Sequence, residues 1–306
     1  MQTRKIGSLD VSVVGLGCNN FGWSVDEAAT MAIVDAALDA GVTFFDTADI
    51  YGGTRSEEFL GRALGSRRNK VVIATKFGDK VEEGKRGAAP AYIRQAIEDS
   101  LRRLGTDRID LYQLHRPDPA VPIEDTLGAL SDLVRAGKVR EIGASNFPAE
   151  QIRRADAAGR RGPRFVSVQN EYSLLHREPE GDVIPECEDL RIGFLPYFPL
   201  ANGLLTGKYG RNKLAPAGTR IATVSYFSGL LSGKNLETVE GLAAFAQSKG
   251  HSLLELAVSW LLARRVVASV IAGATAAGQV RANAAAAEWT LSAEDLKTID
   301  SLAPPS

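Results

Sequence analysis

Residues 71–76, Val-Val-Ile-Ala-Thr-Lys, form an unbroken apolar and largely β-branched run that ends on a lysine. Six residues are too few for a stable helix, and the lack of apolar–polar alternation marks a strand covered on both faces. Runs of the same kind recur on either side: VVGLG near Val14, TFFDT from Thr43, IDLYQLH from Ile109, VREIGAS from Val139, VSVQN from Val166, IGFLPY from Ile192 and VVASVIAG from Val266. Their starts lie 29, 28, 38, 30, 27, 26 and 74 residues apart, and all but the last interval match one strand, one loop and one helix. Helix signals fill the gaps. Asp26 is placed to cap a helix running to Ala40, with Gly41 beyond it, and Pro90 opens AYIRQAIEDSLRRLG, where Ile93, Ile97, Leu101 and Leu104 share a face. Asn235 is read as the cap of LETVEGLAAFAQSKG, which Gly250 ends, and Ser292 precedes a terminal helix, AEDLKTIDSLA. Eight strand–helix units predict an α/β fold of the (β/α)8 TIM-barrel type, occupying residues 1–306 as one domain. A hairpin, RKIG–SL–DVSV, is expected to close the bottom of the barrel. The 74-residue interval holds a Gly-rich stretch, 203–234, without periodicity; a loop of that length is expected to fold over a ligand.

Composition narrows the partners. The chain has 306 residues, with 36 Lys and Arg against 37 Asp and Glu, for a formal charge of −1. That balance excludes the concentrated basic face of a nucleic-acid binder. No run of 18 uncharged apolar residues occurs, so no membrane span is expected, and the N-terminal MQTRKIGSLDVSVVGLG lacks the pattern of a signal peptide. Two cysteines, Cys18 and Cys187, are too few for a disulfide framework, which points to a reduced, cytoplasmic setting. His115, His176 and His251 form no HxH or HxxxH pair, so no metal site is expected. Nucleotide motifs of the common kinds are missing: Gly15-Leu16-Gly17 is followed by Asn20 where GxGxxG needs glycine, and no GKS or GKT occurs. A dinucleotide would have to lie across the barrel mouth.

The ionisable residues cluster at strand ends. The second strand runs into Asp46 and its loop carries Tyr51; the third ends on Lys76 and the fourth on His115. Each alone is ordinary, but together they sit on the rim where barrel enzymes build active sites. A neighbouring ammonium pulls a phenol toward its phenolate, a carboxylate keeps that ammonium charged, and a histidine can hold a substrate oxygen. The set suits acid–base work on an oxygen atom, with no activated Ser or Cys to compete.

In order along the chain, DTADIYG from Asp46, VVIATKFG, LYQLHRPDP, IGASNF, VQNEYS and PLANGLLTGKY resemble the aldo-keto reductase superfamily across nearly the whole length. The resemblance implies reduction of aldehydes or ketones by NADPH, with NADH as the alternative, on a small-molecule carbonyl substrate and without metal. It places the catalytic roles on Asp46, Tyr51, Lys76 and His115, with Tyr51 donating the proton. It places the cofactor against Gly17, Cys18, Asn19 and Asp46, and its carboxamide on Ser145, Asn146 and Gln169. Tyr197 takes the stacking position, and Phe198, Pro199, Leu200, Ala201, Gly203 and Lys208 the pyrophosphate loop. Gly273, Thr275, Gln279 and Asn283, in IAGATAAGQVRAN, take the adenosine-phosphate positions. Many relatives carry a Lys and an Arg where this chain has Gly273 and Gln279, which leaves Arg281 as the only cation in that segment. Trp23 is a candidate pocket wall beside Tyr51 and His115. Phe21 is expected near the nicotinamide, and Tyr226 and Phe227, in the long loop, either reach the pocket or anchor the flap. The polar segment 78–90 reads as a solvated loop. Two other functions fit parts of the pattern: a cofactor-binding regulatory subunit with vestigial activity, and a lyase forming a Schiff base on Lys76, which a close Asp46 would disfavour.

Overall fold

The computed structural model describes residues 1–159, 162–210, 221 and 229–305. Eight parallel strands form the barrel: β3 (Val14–Gly17), β4 (Phe44–Asp46), β5 (Val72–Phe77), β6 (Ile109–Leu114), β7 (Val139–Ser145), β8 (Phe165–Glu171), β9 (Gly193–Tyr197) and β10 (Val270–Gly273). Their spatial order is β10-β3-β4-β5-β6-β7-β8-β9, each neighbour in parallel register. The ring closes between β9 and the residues just before β10, where Phe194 N–H donates to Val266 O (2.8 Å) and Ala268 N–H to Phe194 O (2.9 Å). Seven of the eight strand starts lie within two residues of the sequence expectation. The eighth begins at Val270 instead of Val266, because residues 266–268 pair with β9 before the chain shifts to pair with β3.

Helices α1 (Glu27–Asp39), α2 (Arg55–Leu64), α3 (Pro90–Leu104), α4 (Ile123–Arg135), α5 (Ala149–Ala158), α6 (Val183–Leu190), α8 (Leu253–Leu262) and α9 (Ala277–Ala285) surround the strands. Further helices are α7 (Gly233–Ser248) and the terminal α10 (Ala293–Leu302). Asp26 caps α1 as expected, accepting from the Ala29 N–H, and Ser292 and Asp295 make a reciprocal capping box on α10. Asn235 is not the cap of α7. Ser232 is, its hydroxyl accepting from the Asn235 N–H, so the helix starts three residues earlier.

The hairpin of β1 (Thr3–Ile6) and β2 (Leu9–Ser12) turns at Gly7-Ser8, not at Ser8-Leu9, which leaves Leu9 in the strand. Ile6, Leu9 and Val11 are buried against Phe44, Val72, Leu111 and Leu195, so the hairpin plugs the N-terminal end of the barrel. Among the described residues no helix is long and apolar enough to cross a membrane.

This plug positions the site. Successive side chains on a strand alternate between interior and exterior, so the residues two and four places beyond an inward-facing apolar residue also face inward. Phe44 therefore puts Asp46 inside, Val72 and Ala74 put Lys76 inside, and Leu111 puts Gln113 and His115 inside. The apolar bottom and the polar top belong to the same inward rows. In register, Asp46 stands opposite Ala74 and Lys76 opposite Gln113.

Candidate active site at the barrel mouth

Lys76 is buried completely beneath the mouth and holds the centre of the cluster. Its ammonium donates to Asp46 Oδ2 (2.6 Å), to Thr47 O (3.0 Å) and to Tyr51 Oη (3.4 Å). The second carboxylate oxygen, Asp46 Oδ1, accepts from the amides of Gln113 (3.2 Å) and Gln169 (2.9 Å). Both oxygens of this buried carboxylate are thus supplied with donors, which is what makes a buried ion pair tolerable. Tyr51 stands above Lys76, with His115 edge-on to its ring at 5.9 Å between centroids. The β4–α2 loop that carries Tyr51 depends on Gly52: at φ +59° it lies so close to Phe21 O that a Cβ would come within 2.3 Å.

Electrostatics correct one expectation. Burial raises the Tyr51 phenol above its ordinary value, and the pull of Lys76 in the opposite direction does not cancel it. The tyrosine therefore keeps its proton at neutral pH. Burial also works against the Lys76 ammonium, but Asp46 and then Tyr51 outweigh it and hold the lysine above its usual range. Burial, with Lys76 and Arg116 nearby, drives His115 well below the normal histidine value, so its ring is neutral.

A cleft of about 1580 Å³ runs from this cluster across the mouth to the N-terminus of α9. Seventeen of the eighteen residues expected against a cofactor line it: Gly17, Cys18, Asn19, Asp46, Ser145, Asn146, Gln169, Tyr197, Phe198, Pro199, Leu200, Gly203, Lys208, Gly273, Thr275, Gln279 and Asn283. Ala201 does not. It is buried below the loop, where its N–H turns back onto Phe198 O (2.9 Å) at a φ of +44°. Trp23, Tyr51 and His115 also line the cleft, with Trp23 exposed at its lip, while Lys76 sits underneath, covered by Tyr51. Phe21 is fully buried and packs in the core. Tyr226, Phe227 and much of segment 203–234 lie outside the described residues.

Along the cleft floor the polar groups form a chain. The Ser145 hydroxyl donates to Gln169 O (2.9 Å), the Asn146 amide donates to His115 O (3.0 Å), and the Tyr197 hydroxyl donates to Asn146 Oδ1 (2.8 Å). Asn146 needs φ +60° to do this. Beyond Tyr197 the backbone enters the left-handed region at Phe198, Ala201, Asn202 and Gly203, a concentration of unusual conformations that fits a ligand-shaped loop. At Gly203 a Cβ would meet Lys208 Nζ at 2.9 Å, so glycine there admits the lysine. At the far end no side chain caps α9, and Thr275 N–H donates to Gln279 Oε1 (2.8 Å). A long cleft with an aromatic wall, a lysine in mid-course and an uncapped helix N-terminus has the donor set that a dinucleotide requires.

Sequence reasoning missed several residues in and beneath the cleft. Gln113 completes the Asp46 pair, and its signal was a lone amide inside the apolar run LYQL. Asp79, in the segment read as a solvated loop, lines the cleft beside Arg116, Ser24, Ile50 and Glu171. A further buried acid lies behind the site. Asp49 is 1% exposed, with neither oxygen meeting a hydrogen-bond donor. Burial, then Glu57 and Asp79 against the opposing Arg103, push its carboxyl up to about 8; Tyr92 and Tyr112 also face it. A raised folded value for an acid means that the unfolded chain binds fewer protons between the ordinary value of 3.8 and about 8. The penalty is absent below that window, builds up across it, and is constant above it, with a limiting slope of about 1.4 kcal/mol per pH unit for one proton. Urea unfolding of the parent and of Asp49→Asn from pH 5 to 9 checks this. The stability gap should move in favour of Asn as pH rises, and a gap that does not change with pH would show that Asp49 is ionised throughout.

The fold and the mouth cluster define a class, the (β/α)8-barrel enzymes with an acid–base site at the C-terminal rim, and comparison with known proteins supplies the family. The Aldo/keto reductase family profile matches residues 13–304. The chain is 36% identical over 311 residues to the Uncharacterized oxidoreductase YrpG of Bacillus subtilis (strain 168), covering 97% of this chain and 93% of the relative. Among solved structures it is similar to aldo-keto reductase AKR11C1 from Bacillus halodurans (holo form), with TM-score 0.84, 33% identity and coverage of 100% and 97%. It is also similar to the glycerol dehydrogenase AKR11B4 from Gluconobacter oxydans, with TM-score 0.86, 33% identity and coverage of 99% and 96%. The chain belongs to the aldo-keto reductase family, oxidoreductases that act on carbonyl groups with nicotinamide cofactors.

Proposed function

We propose that this protein reduces aldehydes or ketones to alcohols with NADPH, Tyr51 giving the proton. The observation that carries the reading is the Lys76 ammonium held between Asp46 Oδ2 and Tyr51 Oη beneath the cleft. A bound reduced nicotinamide supplies hydride to the carbonyl carbon. Tyr51 meets the carbonyl oxygen as a neutral phenol and passes it the proton. The negative charge left on the phenol then faces the Lys76 ammonium, which strengthens its hold as the proton leaves, so the pair favours the transition state over the ground state. Asp46 keeps Lys76 charged and aimed. The neutral His115 ring presents one N–H to the substrate oxygen and orients it.

Ser145, Asn146 and Gln169 would hold the carboxamide and the Tyr197 ring would cover the nicotinamide. Residues 198–203 and Lys208 would enclose the pyrophosphate, while Gly273, Thr275, Gln279 and Asn283 would receive the adenosine end. With no cation at 273 or 279 and Arg281 exposed outside the cleft, NADPH should lead NADH by less than about tenfold, below the gain of a full charge-assisted contact. The Gluconobacter relative is named for dehydrogenation of an alcohol, glycerol, a reaction of the opposite direction to the one proposed here.

Fluorescence titration of the protein with NADPH and NADH, followed by aldehyde turnover read as loss of reduced-nicotinamide absorbance, tests the reading. Binding of NADPH with turnover supports it. Tighter binding of NADH would overturn the cofactor assignment, and binding without consumption would favour the regulatory alternative.

A further inference from the structure

The substrate end of the cleft carries a second ion pair that the proton transfer leaves unused. Arg116 follows His115 directly and lines the cleft with it. Its Nε donates to Asp79 at 3.1 Å; the Asp79 side chain is 19% exposed and that of Arg116 62%. The loop bearing Asp79 fixes this brace: Gly78 turns at φ +112° and Gly87 N–H donates across the loop to Gly78 O (2.8 Å). The same carboxylate lies 3.4 Å from His115 Nδ1, so imidazole and guanidinium flank one anchored acid. Among the described residues, the terminal nitrogens of Arg116 donate no hydrogen bond to a protein acceptor.

A guanidinium pinned through Nε presents its remaining N–H groups as a planar fork, and a carboxylate matches that fork with two parallel hydrogen bonds. Asp79 also removes the rotamer freedom that an exposed arginine would otherwise lose on binding. Lys76 is already matched by Asp46, which leaves Arg116, among the described residues, as the cation at this end with donors to offer a substrate. Its nearness to His115 limits the span: the anionic group must sit only a few bonds from the carbonyl.

We propose that Arg116, braced by Asp79, is a specificity-determining residue that binds the carboxylate of short-chain oxo acids, so that the preferred substrates are small aldehydes or ketones bearing a carboxylate. This rests on the reductase reading above. The test compares kcat/KM for succinic semialdehyde and for butanal, its uncharged counterpart, in the parent and in Arg116→Gln with NADPH present. Loss of a charge-assisted contact should lower the semialdehyde-to-butanal ratio about 10- to 100-fold, chiefly through KM. Raised salt should lower the same ratio in the parent and leave it flat in the variant. A ratio unchanged by the substitution overturns the proposal. If neither aldehyde is consumed, the reductase reading fails by itself. Arg116 is then judged by succinic semialdehyde binding to the NADPH complex, which Arg116→Gln should weaken and which an idle arginine would not affect.

Discussion

Replacing Tyr51 by phenylalanine should lower kcat by about 10²- to 10⁴-fold, the range contributed by a placed general acid. The substitution deletes one oxygen from a ring whose position is otherwise set by Gly52, His115 and Lys76. Among the described residues no other hydroxyl bonds to Lys76 Nζ, whose remaining partners are Asp46 and Thr47 O, so the variant has no substitute donor beside the ammonium. Cofactor affinity should stay close to the parent's, because the cleft beyond the cluster is untouched. Stopped-flow single turnovers separate the two quantities. A variant that retains parental kcat would remove Tyr51 from the chemistry. The pH profile carries a second check: with His115 neutral and Tyr51 raised, no inflexion should fall at the ordinary histidine value of 6.5.

Lys76→Met should be costly in both stability and rate. It nearly preserves side-chain volume but strips the cation from a carboxylate that is 4% exposed, and removing one partner of a buried pair costs about 3–5 kcal/mol. The Gln113 and Gln169 amides still donate to Asp46 Oδ1 and soften the loss, which keeps the variant foldable. Catalytically, nothing then opposes the burial that raises Tyr51, so the proton is given up at a higher barrier and kcat should fall by at least about 10²-fold. Asp46→Asn in the same background should recover much of the lost stability and none of the rate, as measured by urea unfolding and steady-state turnover. Recovery of rate would mean that the ammonium serves only to hold Asp46.

The barrel was legible because fully buried parallel strands advertise themselves as apolar runs and the strand–loop–helix unit has a narrow length. Asp46, Lys76 and His115 were legible for the same reason: an ionisable residue that closes such a run on its inward row faces the mouth, whereas Tyr51 lies on the loop after β4. Asp79 escaped because a polar residue in a polar loop carries no periodicity that says where it points. Ala201 was grouped with its neighbours because the resemblance covers them as one stretch, yet in the left-handed turn at residues 201–203 its side chain is buried while Leu200, Asn202 and Gly203 line the cleft. The cap of α7 was missed because Ser232 and Asn235 are equally good capping types, and only backbone geometry chooses between them.

The order of residues alone determined the eight-unit α/β plan, the inward alternation from Phe44 to Asp46 and from Leu111 to His115, and the kinds of group available at the rim. These follow from local rules, strand period and helix caps, which need only neighbours in the chain. Tertiary structure alone decided the balance at Tyr51, where desolvation prevails over the adjacent cation, and the meeting of Asp79 with Arg116 across 37 positions. Both depend on how much water and charge surround a group in three dimensions, and that is a property of the packed barrel rather than of any segment.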